Sequence, residues 1–252
     1  MKKLIVFDLD GTLAESKAAI DETMSGLLGR LLKVAQVAII SGGAWSQYEK
    51  QVLANLPKGV DLTRLSLLPT CGTKFFRYET GVWTLLYSED FSGAEKERIV
   101  DALNGALDAS GLRPEKPWGA LIDDRGSQIT LSALGQDTPL DVKKGWDADF
   151  KKRDAIKAHL TPALDNFSVR AGGETSIDVT RLGIDKAYGI EKLHEVLSID
   201  IQDMLFVGDA LQPGGNDYPA RKTGDCIAVR GPEVTKSVIE TIIACVQPPG
   251  AQ

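Results

Sequence analysis

The chain has few of the residues that build disulfide frameworks or histidine chemistry. It contains only three cysteines and two histidines among 252 residues. The cysteines show no metal-type spacing and are odd in number, so we expect Cys71, Cys226 and Cys245 to be reduced structural residues. His159 and His194 each fall inside a helix-like segment, so we expect acid–base work to be done by carboxylates.

The chain also lacks long apolar runs and an excess of basic residues. The apolar stretch after Met1-Lys2-Lys3 is short and is broken by Asp8 and Asp10, which predicts neither a signal peptide nor a membrane span. The formal net charge of −6 argues against a nucleic-acid partner, because affinity for phosphate backbones requires clustered Lys and Arg. We therefore expect a cytoplasmic protein with neither nucleic-acid nor membrane partners.

What the chain does contain is organised around residues 4–13, LIVFDLDGTL. The apolar run Leu4–Phe7 shows little alternation, which predicts a strand buried on both faces of a parallel sheet. Asp8 and Asp10 follow where the strand gives way to Gly11-Thr12. Ligands of open α/β sheets bind at the carboxyl ends of the strands, so we expect this pair in the binding crevice. The alternative is a solvated turn that only caps a following helix.

Paired carboxylates at such a place favour metal and phosphate chemistry. Like charges so close repel unless a cation or a shared proton intervenes, and an oxygen-rich site suits Mg²⁺, which in turn suits a phosphate. A carboxylate can also carry a phosphoryl group covalently. At these residues the chain resembles the haloacid dehalogenase superfamily of phosphotransferases. The resemblance implies that Asp8 is the nucleophile that becomes an aspartyl phosphate, and that Asp10 is the general acid/base.

The rest of the chain indicates an α/β core with an insertion. The sequence predicts buried strands over 36–40, 65–68 and 203–209 and helices over 21–34, 45–56 and 186–197. Between residues 82 and 182 it predicts short, partly alternating strands over 82–88, 118–124, 127–134, 167–170 and 176–182, and helices over 93–110 and 147–164. We therefore predict a Rossmann-like parallel-sheet core, residues 1–81 and 183–252, with an inserted α+β cap domain, residues 82–182, of antiparallel sheet plus two helices. The end of the chain, residues 248–250, is predicted to be a disordered tail.

Further stretches of the core contain candidate site residues. Ser41-Gly42-Gly43 follows a predicted strand, where a hydroxyl and glycine backbone N–H groups can approach an anion closely; the alternative is an ordinary loop. Asp209 ends another strand and would complete a divalent-metal site with Asp8 and Asp10. The superfamily resemblance implies that Ser41 is its phosphate-binding second motif.

Two more core positions are predicted to support this chemistry. Asn216 and Asp217 lie in a glycine-rich turn, and we expect them to order the metal and its waters. Lys186 begins a predicted helix and would ordinarily be a solvated surface charge. The resemblance instead implies that it is the third motif, a cation that offsets the charges of Asp8 and the phosphoryl oxygens.

The resemblance extends into the insertion. Residues 172–178, GGETSID, and 209–217, DALQPGGND, look like those of the eukaryotic-type phosphomannomutases, a branch with an inserted cap of the second kind. It implies that Ser176 and Asp178 hold sugar hydroxyls, and residues i and i+2 of a strand do face the same side. The alternative is that they are alternating polar residues on a wet sheet face.

The match is partial where that family uses arginines to hold phosphate. Arg125 matches one cap arginine that would bind the distal phosphate, but Gln136 and Lys143 stand at two others, and Lys17 stands at a core arginine position. Lys is a point charge without the planar fork of Arg, and Gln136 carries no charge. A mutase must bind its sugar with either end phosphorylated, so this departure weakens the case for a mutase more than that for a phosphatase.

The sequence therefore predicts Mg²⁺-dependent phosphoryl transfer on a small phosphosugar. The leading prediction is a phosphomannomutase-like enzyme of hexose 1- and 6-phosphates, with a hexose bisphosphate activator and, by resemblance, a homodimer through the caps. The first alternative is a sugar-phosphate phosphatase of the same superfamily. A non-catalytic phosphosugar-binding protein is a remote alternative, because a pure binder gains little from adjacent carboxylates that repel phosphate without a metal.

Overall fold

The computed structural model describes residues 2–246, which divide into two compact units. The core unit runs to Ser88 and resumes at Asp185, and the inserted unit is Glu89–Ile184. The strands of the described range are β1 Leu4–Phe7, β2 Gln36–Ile40, β3 Leu65–Leu68, β4 Lys74–Glu79, β5 Val82–Ser88, β6 Ile122–Asp124, β7 Gln128–Ser132, β8 Phe167–Ala171, β9 Ser176–Arg181, β10 Met204–Gly208 and β11 Asp225–Ala228. The α-helices are α1 Glu22–Val34, α2 Trp45–Gln51, α3 Gly93–Ala109, α4 Leu140–Trp146, α5 Lys151–Leu160, α6 Lys186–Leu197 and α7 Pro232–Val246.

The core unit is built on a seven-stranded sheet in the order β11-β10-β1-β2-β3-β4-β5. The first five strands in this order are parallel to one another. Leu4 and Val6 of β1 pack into one hydrophobic cluster, and Ile5 and Phe7 pack into another. Both faces of β1 are therefore buried, which explains its lack of alternation and confirms the predicted parallel sheet.

Helices cover both faces of this sheet. The apolar stripe of α1 (Met24, Leu28, Leu31) packs into one cluster together with Ile239 of α7, and Ile190 of α6 lies in the other cluster. The predicted helices over 21–34 and 186–197 are confirmed, whereas the one over 45–56 ends at Gln51 and is followed by a separate 3₁₀ turn. The elements β4, β11 and α7 were not predicted from the sequence.

Residues 82–88 belong to the core unit, so their assignment to the insertion is wrong. The strand they form, β5, pairs antiparallel with β4, and β4 pairs antiparallel with β3. Trp83 lies against Trp45, with ring centroids 5.7 Å apart. An outer antiparallel strand has one solvated face, so apolar and polar residues alternate along it. Its sequence therefore looks like that of a strand in a small sheet with one wet face. The unit boundaries therefore follow Ser88 and Ile184 rather than residues 81 and 182.

The inserted unit has a four-stranded antiparallel sheet in the order β6-β7-β9-β8. One face is apolar and packs against α3 and α5 through the cluster Ile99, Leu103, Ile129, Leu131, Ile156, Ile177 and Val179. The opposite face carries polar side chains. The predicted antiparallel sheet with helices is confirmed.

The helix predicted over 147–164 begins later, at Lys151, and α4 precedes it as a separate short helix. The carboxylate of Asp147 accepts hydrogen bonds from the backbone N–H groups of Lys152 (2.8 Å) and Arg153 (3.2 Å). Phe150, with φ of 63°, occupies the left-handed region just before α5. Asp147 therefore caps the start of α5 instead of lying within it.

A buried ion pair fixes α5 to the neighbouring turn. Arg153 Nε lies 2.6 Å from Asp147 Oδ2, and the two side chains are 3% and 0% exposed. The guanidinium also donates to the backbone oxygen of Gly173. Burial alone would raise the pKa of Asp147, but the hydrogen bonds from Arg153 and the backbone hold it below its ordinary value. The pair thus ties the turn after β8 to the helix layer.

Three other sequence predictions can be compared with the structure. Cys71, Cys226 and Cys245 are free cysteines, as predicted. Within residues 2–246, no helix is both long enough and apolar enough to cross a membrane. The predicted tail at 248–250 lies outside the described residues.

Removing the cation of the buried pair should destabilise the inserted unit. Arg153→Leu leaves the carboxylate of Asp147 buried without its charge partner, and such a loss costs about 3–5 kcal/mol. The matched control is Arg113→Gln, because Arg113 pairs with Asp108 at the exposed surface, and its loss should change stability little. Urea unfolding at pH 7 measures both, and equal effects of the two variants would contradict a structural role for the buried pair.

The same pair should make this difference depend on pH. Since the pKa of Asp147 is held below its ordinary value of 3.8, the pair stabilises the fold above that value, and the stabilisation is lost as the pH falls through the folded-state pKa. The gap in unfolding free energy between wild type and Arg153→Leu should therefore narrow below about pH 4.

Candidate active site

Three parallel strands place polar side chains at one edge of the core sheet. Asp8 follows β1, Ser41 follows β2 and Asp209 follows β10, and these strands are neighbours. Lys186 is the first residue of α6. The carboxyl ends of parallel strands meet at a single edge, so residues far apart in sequence become neighbours there.

Lys186 and Asp8 form a buried ion pair at this edge. The ammonium of Lys186 donates to Asp8 Oδ1 and to the backbone oxygen of Ile40, and it lies 3.3 Å from Asp217 Oδ1. Lys186 is 1% exposed and Asp8 is 3% exposed. The structure thus brings the predicted nucleophile and the predicted cation into direct contact.

Two further carboxylates gather around this pair. Asp8, Asp209 and Asp217 each offer an oxygen within 4.8 Å of the other two. Asp217, expected only to order the metal and its waters, is fully buried and also accepts a hydrogen bond from the backbone N–H of Ala210 (3.2 Å). The carboxylate cluster thus contains Asp217 beside Asp8 and Asp209, and the assignment of Asp10 as a further metal ligand stays a prediction.

The electrostatics of the cluster favour a bound cation. Burial raises the pKa of Asp8, and the carboxylates of Asp217 and Asp209 add to this rise while Lys186 opposes it. Partial burial and Asp217 also raise the pKa of Asp209, although its side chain reaches solvent. Burial alone would lower the pKa of Lys186, but Asp8 and Asp217 raise it.

This charge balance fits a divalent metal ion. When ionised, three carboxylates against one ammonium leave two negative charges uncompensated. Oxygen ligands of this kind are the ones that Mg²⁺ prefers. Asp8, Asp209 and Asp217 could therefore hold such an ion.

Asp10 lies in a different hydrogen-bond network. Its carboxylate accepts from the backbone N–H of Lys17 (2.7 Å) and from the side-chain amides of Gln47 (2.7 Å) and Gln51 (3.3 Å). Neutral amide donors orient a carboxylate without neutralising its charge. Gln47 and Gln51 were not predicted from the sequence to belong to the site. Their spacing of four residues on α2, one helical turn, was the available signal.

Two glycines let the backbone approach the carboxylate cluster. Gly11 has φ of +83°, and a Cβ there would lie 2.4 Å from Asp209 Oδ2. A Cβ on Gly208 would lie 2.4 Å from Asp217 Oδ2. Thr12 Oγ1 also donates to Asp209 Oδ1 at 3.4 Å. The glycines of the Asp-Gly-Thr and Gly-Asp motifs therefore leave the space that the carboxylates of Asp209 and Asp217 occupy.

The Ser41 loop is held by backbone hydrogen bonds. Gly43 N–H donates to Ser41 Oγ (3.1 Å), and the backbone oxygens of Ser41 and Gly43 accept from Cys71 and Thr70 (2.9 and 3.1 Å). With its oxygen already accepting, the Ser41 hydroxyl can direct its hydrogen at an anion. Gly42 lies between these anchored residues. Asn216 directly precedes Asp217 in the sequence, and it is exposed.

In the inserted unit, the predicted sugar-binding residues lie on the polar face of the sheet. Ser176 and Asp178 of β9 stand opposite Ser132 and Thr130 of β7, respectively. Thr130 Oγ1 donates to Asp178 Oδ1 at 2.7 Å, and Gln128 Nε2 donates to Thr130 Oγ1 at 3.1 Å. The i, i+2 spacing thus presents Ser176 and Asp178 on one face, as the sequence indicated.

The predicted phosphate-binding residues of the inserted unit occupy two places. Arg125 pairs through its backbone with Gln128, and its Nε donates to Asp123 Oδ2 at 2.8 Å, so it lies at the β6 edge of the sheet. Lys143, on α4, donates through Nζ to the backbone oxygen of Gln136 (3.1 Å). Gln136 and Lys143 are therefore neighbours, outside the strands. In the core unit, the exposed Lys17 contacts Asp10 through its backbone N–H.

Comparisons with known proteins agree with this architecture. The chain is 26% identical over 251 residues to the phosphomannomutase of Encephalitozoon cuniculi, which covers 93% of this chain and 91% of that protein. The fold is similar to that of a C-terminally truncated Plasmodium falciparum IMP-nucleotidase (TM-score 0.72, 19% identity, 98% of this chain and 72% of that one). It is also similar to a haloacid dehalogenase-like hydrolase from Bacteroides thetaiotaomicron (TM-score 0.64, 18% identity, 96% of this chain and 100% of that one).

A family match identifies the chain more closely. Residues 93–245, more than half of the chain, match the model of the family described as eukaryotic phosphomannomutase. The predicted resemblance to the haloacid dehalogenase superfamily is confirmed, and with it the expectation of an enzyme. The chain belongs to the eukaryotic phosphomannomutase family and is a phosphotransferase of the haloacid dehalogenase superfamily.

Proposed function

We propose that this enzyme transfers a phosphoryl group on a phosphosugar through an aspartyl phosphate at Asp8. The observation that carries the proposal is the buried contact between Asp8 and Lys186 at the carboxyl end of β1. A carboxylate oxygen can attack phosphorus and split one difficult transfer into two easier steps. The adjacent ammonium offsets the charge of the phosphoryl oxygens as they approach the carboxylate.

A magnesium ion is part of this proposal. Asp8, Asp209 and Asp217 would hold it, and the two uncompensated charges of their cluster support this assignment. When bound, Mg²⁺ supplies positive charge next to the phosphoryl group that is transferred. Without a cation, the three carboxylates would repel the phosphate that Asp8 must meet.

Proton transfer is assigned to Asp10. Its amide partners Gln47 and Gln51 and the N–H of Lys17 fix the carboxylate in place. From there it would protonate the leaving oxygen and later remove a proton from the acceptor hydroxyl. Ser41 and the backbone of Gly42-Gly43 would bind the phosphoryl oxygens.

The polar face of the inserted sheet is proposed to bind sugar hydroxyls and a phosphate. Ser176 and Asp178 would contact sugar hydroxyls, and Arg125 would contribute to binding the distal phosphate. The family supports a mutase that interconverts hexose 1- and 6-phosphates. A sugar-phosphate phosphatase is the second candidate. The uncharged Gln136 favours it, as does the use of the Lys143 ammonium on the Gln136 backbone.

Adding a methyl group next to Asp209 tests the assignment of the metal ligands. Gly11→Ala places a methyl group against the Asp209 carboxylate and should weaken Mg²⁺ binding about 10- to 100-fold, the usual cost of disturbing a ligand's surroundings. The matched control is Gly26→Ala on α1, where a Cβ meets nothing within 4 Å and Mg²⁺ affinity should not change. Calorimetric titration with Mg²⁺ measures both, after circular dichroism confirms folding. Equal affinities in both variants would contradict the assignment of Asp209.

The nucleophile assignment predicts complete loss of turnover in Asp8→Asn. The change is nearly isosteric, and Asp217 remains near the Lys186 ammonium, so the protein should stay folded. Wild type incubated with radiolabelled phosphosugar should carry acid-stable protein-bound phosphate after quenching, and the variant should not. If Asp8→Asn kept even a tenth of wild-type activity, Asp8 could not be the nucleophile.

A mutase and a phosphatase should respond differently to added hexose bisphosphate. A mutase assayed with a hexose 1-phosphate should depend on added hexose bisphosphate and should release little inorganic phosphate. A phosphatase should release phosphate steadily whether or not the bisphosphate is present. Coupled assays of both products in the same reaction make the distinction, and excess chelator should abolish either activity.

A further inference from the structure

Arg170 is a cation on the polar face of the inserted sheet to which the sequence analysis gave no role. It lies on β8, an edge strand, directly opposite Asp178 of β9. Directly paired residues of antiparallel strands present their side chains on the same face, with Cβ atoms about 5 Å apart. The exposed Arg170 therefore shares a face and a cross-strand row with Asp178 and Thr130.

The next residue toward the same face lies just after β8 and has no side chain. Gly172 follows Arg170 by two positions, and a Cβ there would lie 2.7 Å from Asp178 Oδ2 and 3.2 Å from Ser176 Cβ. Any other residue would displace the carboxylate. The turn is also held in place, because the buried Arg153 donates to the backbone oxygen of Gly173. Ser176 and Asp178 are therefore half-buried on this face without a side chain of residue 172 over them, and Arg170 lies opposite Asp178.

Arg170 adds a positive charge to this face beside the carboxylate of Asp178. Asp178 is suited to sugar hydroxyls, but its negative charge repels a phosphate carried by the same sugar. Arg125 already donates to Asp123 at the other edge of the sheet. A guanidinium next to Asp178 can bind a phosphate bidentately and offset the carboxylate.

We infer that Arg170 forms a phosphate subsite at the β8 edge of the inserted sheet. Its ligand is the non-reacting phosphate of a phosphosugar whose hydroxyls contact Ser176 and Asp178. Arg170 would supply the charged, planar fork of N–H donors that Gln136 and Lys143 lack. This inference rests on the proposed function, since it assigns the part of the substrate that is not transferred.

Direct binding tests the subsite without relying on turnover. In an Asp8→Asn background with Mg²⁺, a hexose 1,6-bisphosphate is titrated calorimetrically into proteins with and without Arg170→Gln. Loss of a charge-assisted hydrogen bond should weaken this affinity about tenfold. Inorganic phosphate, which needs no distal contact, should bind within about twofold of the background protein. Arg170→Lys should fall between the two, because it keeps the charge and loses the fork.

A matched arginine separates the subsite from a general effect of charge. Arg113→Gln removes the same charge from an exposed side chain of the inserted unit that pairs with Asp108. It should leave bisphosphate affinity unchanged. If Arg170→Gln lowers the melting temperature but binds bisphosphate as tightly as Arg113→Gln does, Arg170 is only a structural partner of Asp178 and the subsite is refuted. The remaining outcome is that the Asp8→Asn protein, with Arg170 intact, binds neither the bisphosphate nor inorganic phosphate, and that wild type turns over no phosphosugar. In that case the proposed function itself fails, and the inference fails with it.

Discussion

The buried contact between Lys186 and Asp8 is the constraint on which the rest of the core unit depends. An ammonium that is 1% exposed is stable only when acceptors surround it, and here these are Asp8, Asp217 and the Ile40 carbonyl. These groups come from the end of β1, the loop after β10 and the end of β2. The parallel strands must therefore keep their order and register for the lysine to be satisfied, so the same geometry stabilises the fold and assembles the nucleophile.

The glycines of the core unit follow from this crowding. Three carboxylates can approach one another only if the backbone comes close without side chains between, and Gly11 and Gly208 provide that space. The loop after Asp209 folds back on itself for the same reason. A Cβ on Gly215 would lie 2.0 Å from the Ala210 oxygen, and this turn delivers Asp217 to the cluster. The glycine-rich sequence is thus a requirement of the carboxylate geometry.

The sequence predicted the sheet and the strand ends better than it predicted the carboxylate cluster. A run such as Leu4–Phe7 determines its own burial, so the strand and the position of Asp8 were readable. Asp10 was predicted to bind the metal because it is near Asp8 in sequence, and this stays a prediction. Its carboxylate accepts a hydrogen bond from Gln47 of α2, whereas Asp217 joins Asp8 and Asp209 in the carboxylate cluster. That outcome depends on how a loop folds back, which no local pattern encodes. The dimer and the cytoplasmic location stay predictions.

The inserted unit divides its sheet between stability and recognition. Alternate residues of β7 and β9 either join the apolar cluster beneath the helices or carry hydroxyl, amide and carboxylate groups on the other face. One shift in register would exchange the two sets and expose the apolar cluster, so hydrophobic packing fixes which polar groups stand side by side. The pairing of Arg170 with Asp178 is specified in this way, by Val169 and Val179 packing on the opposite face. Recognition of a phosphosugar by this face would therefore depend on residues that never touch it.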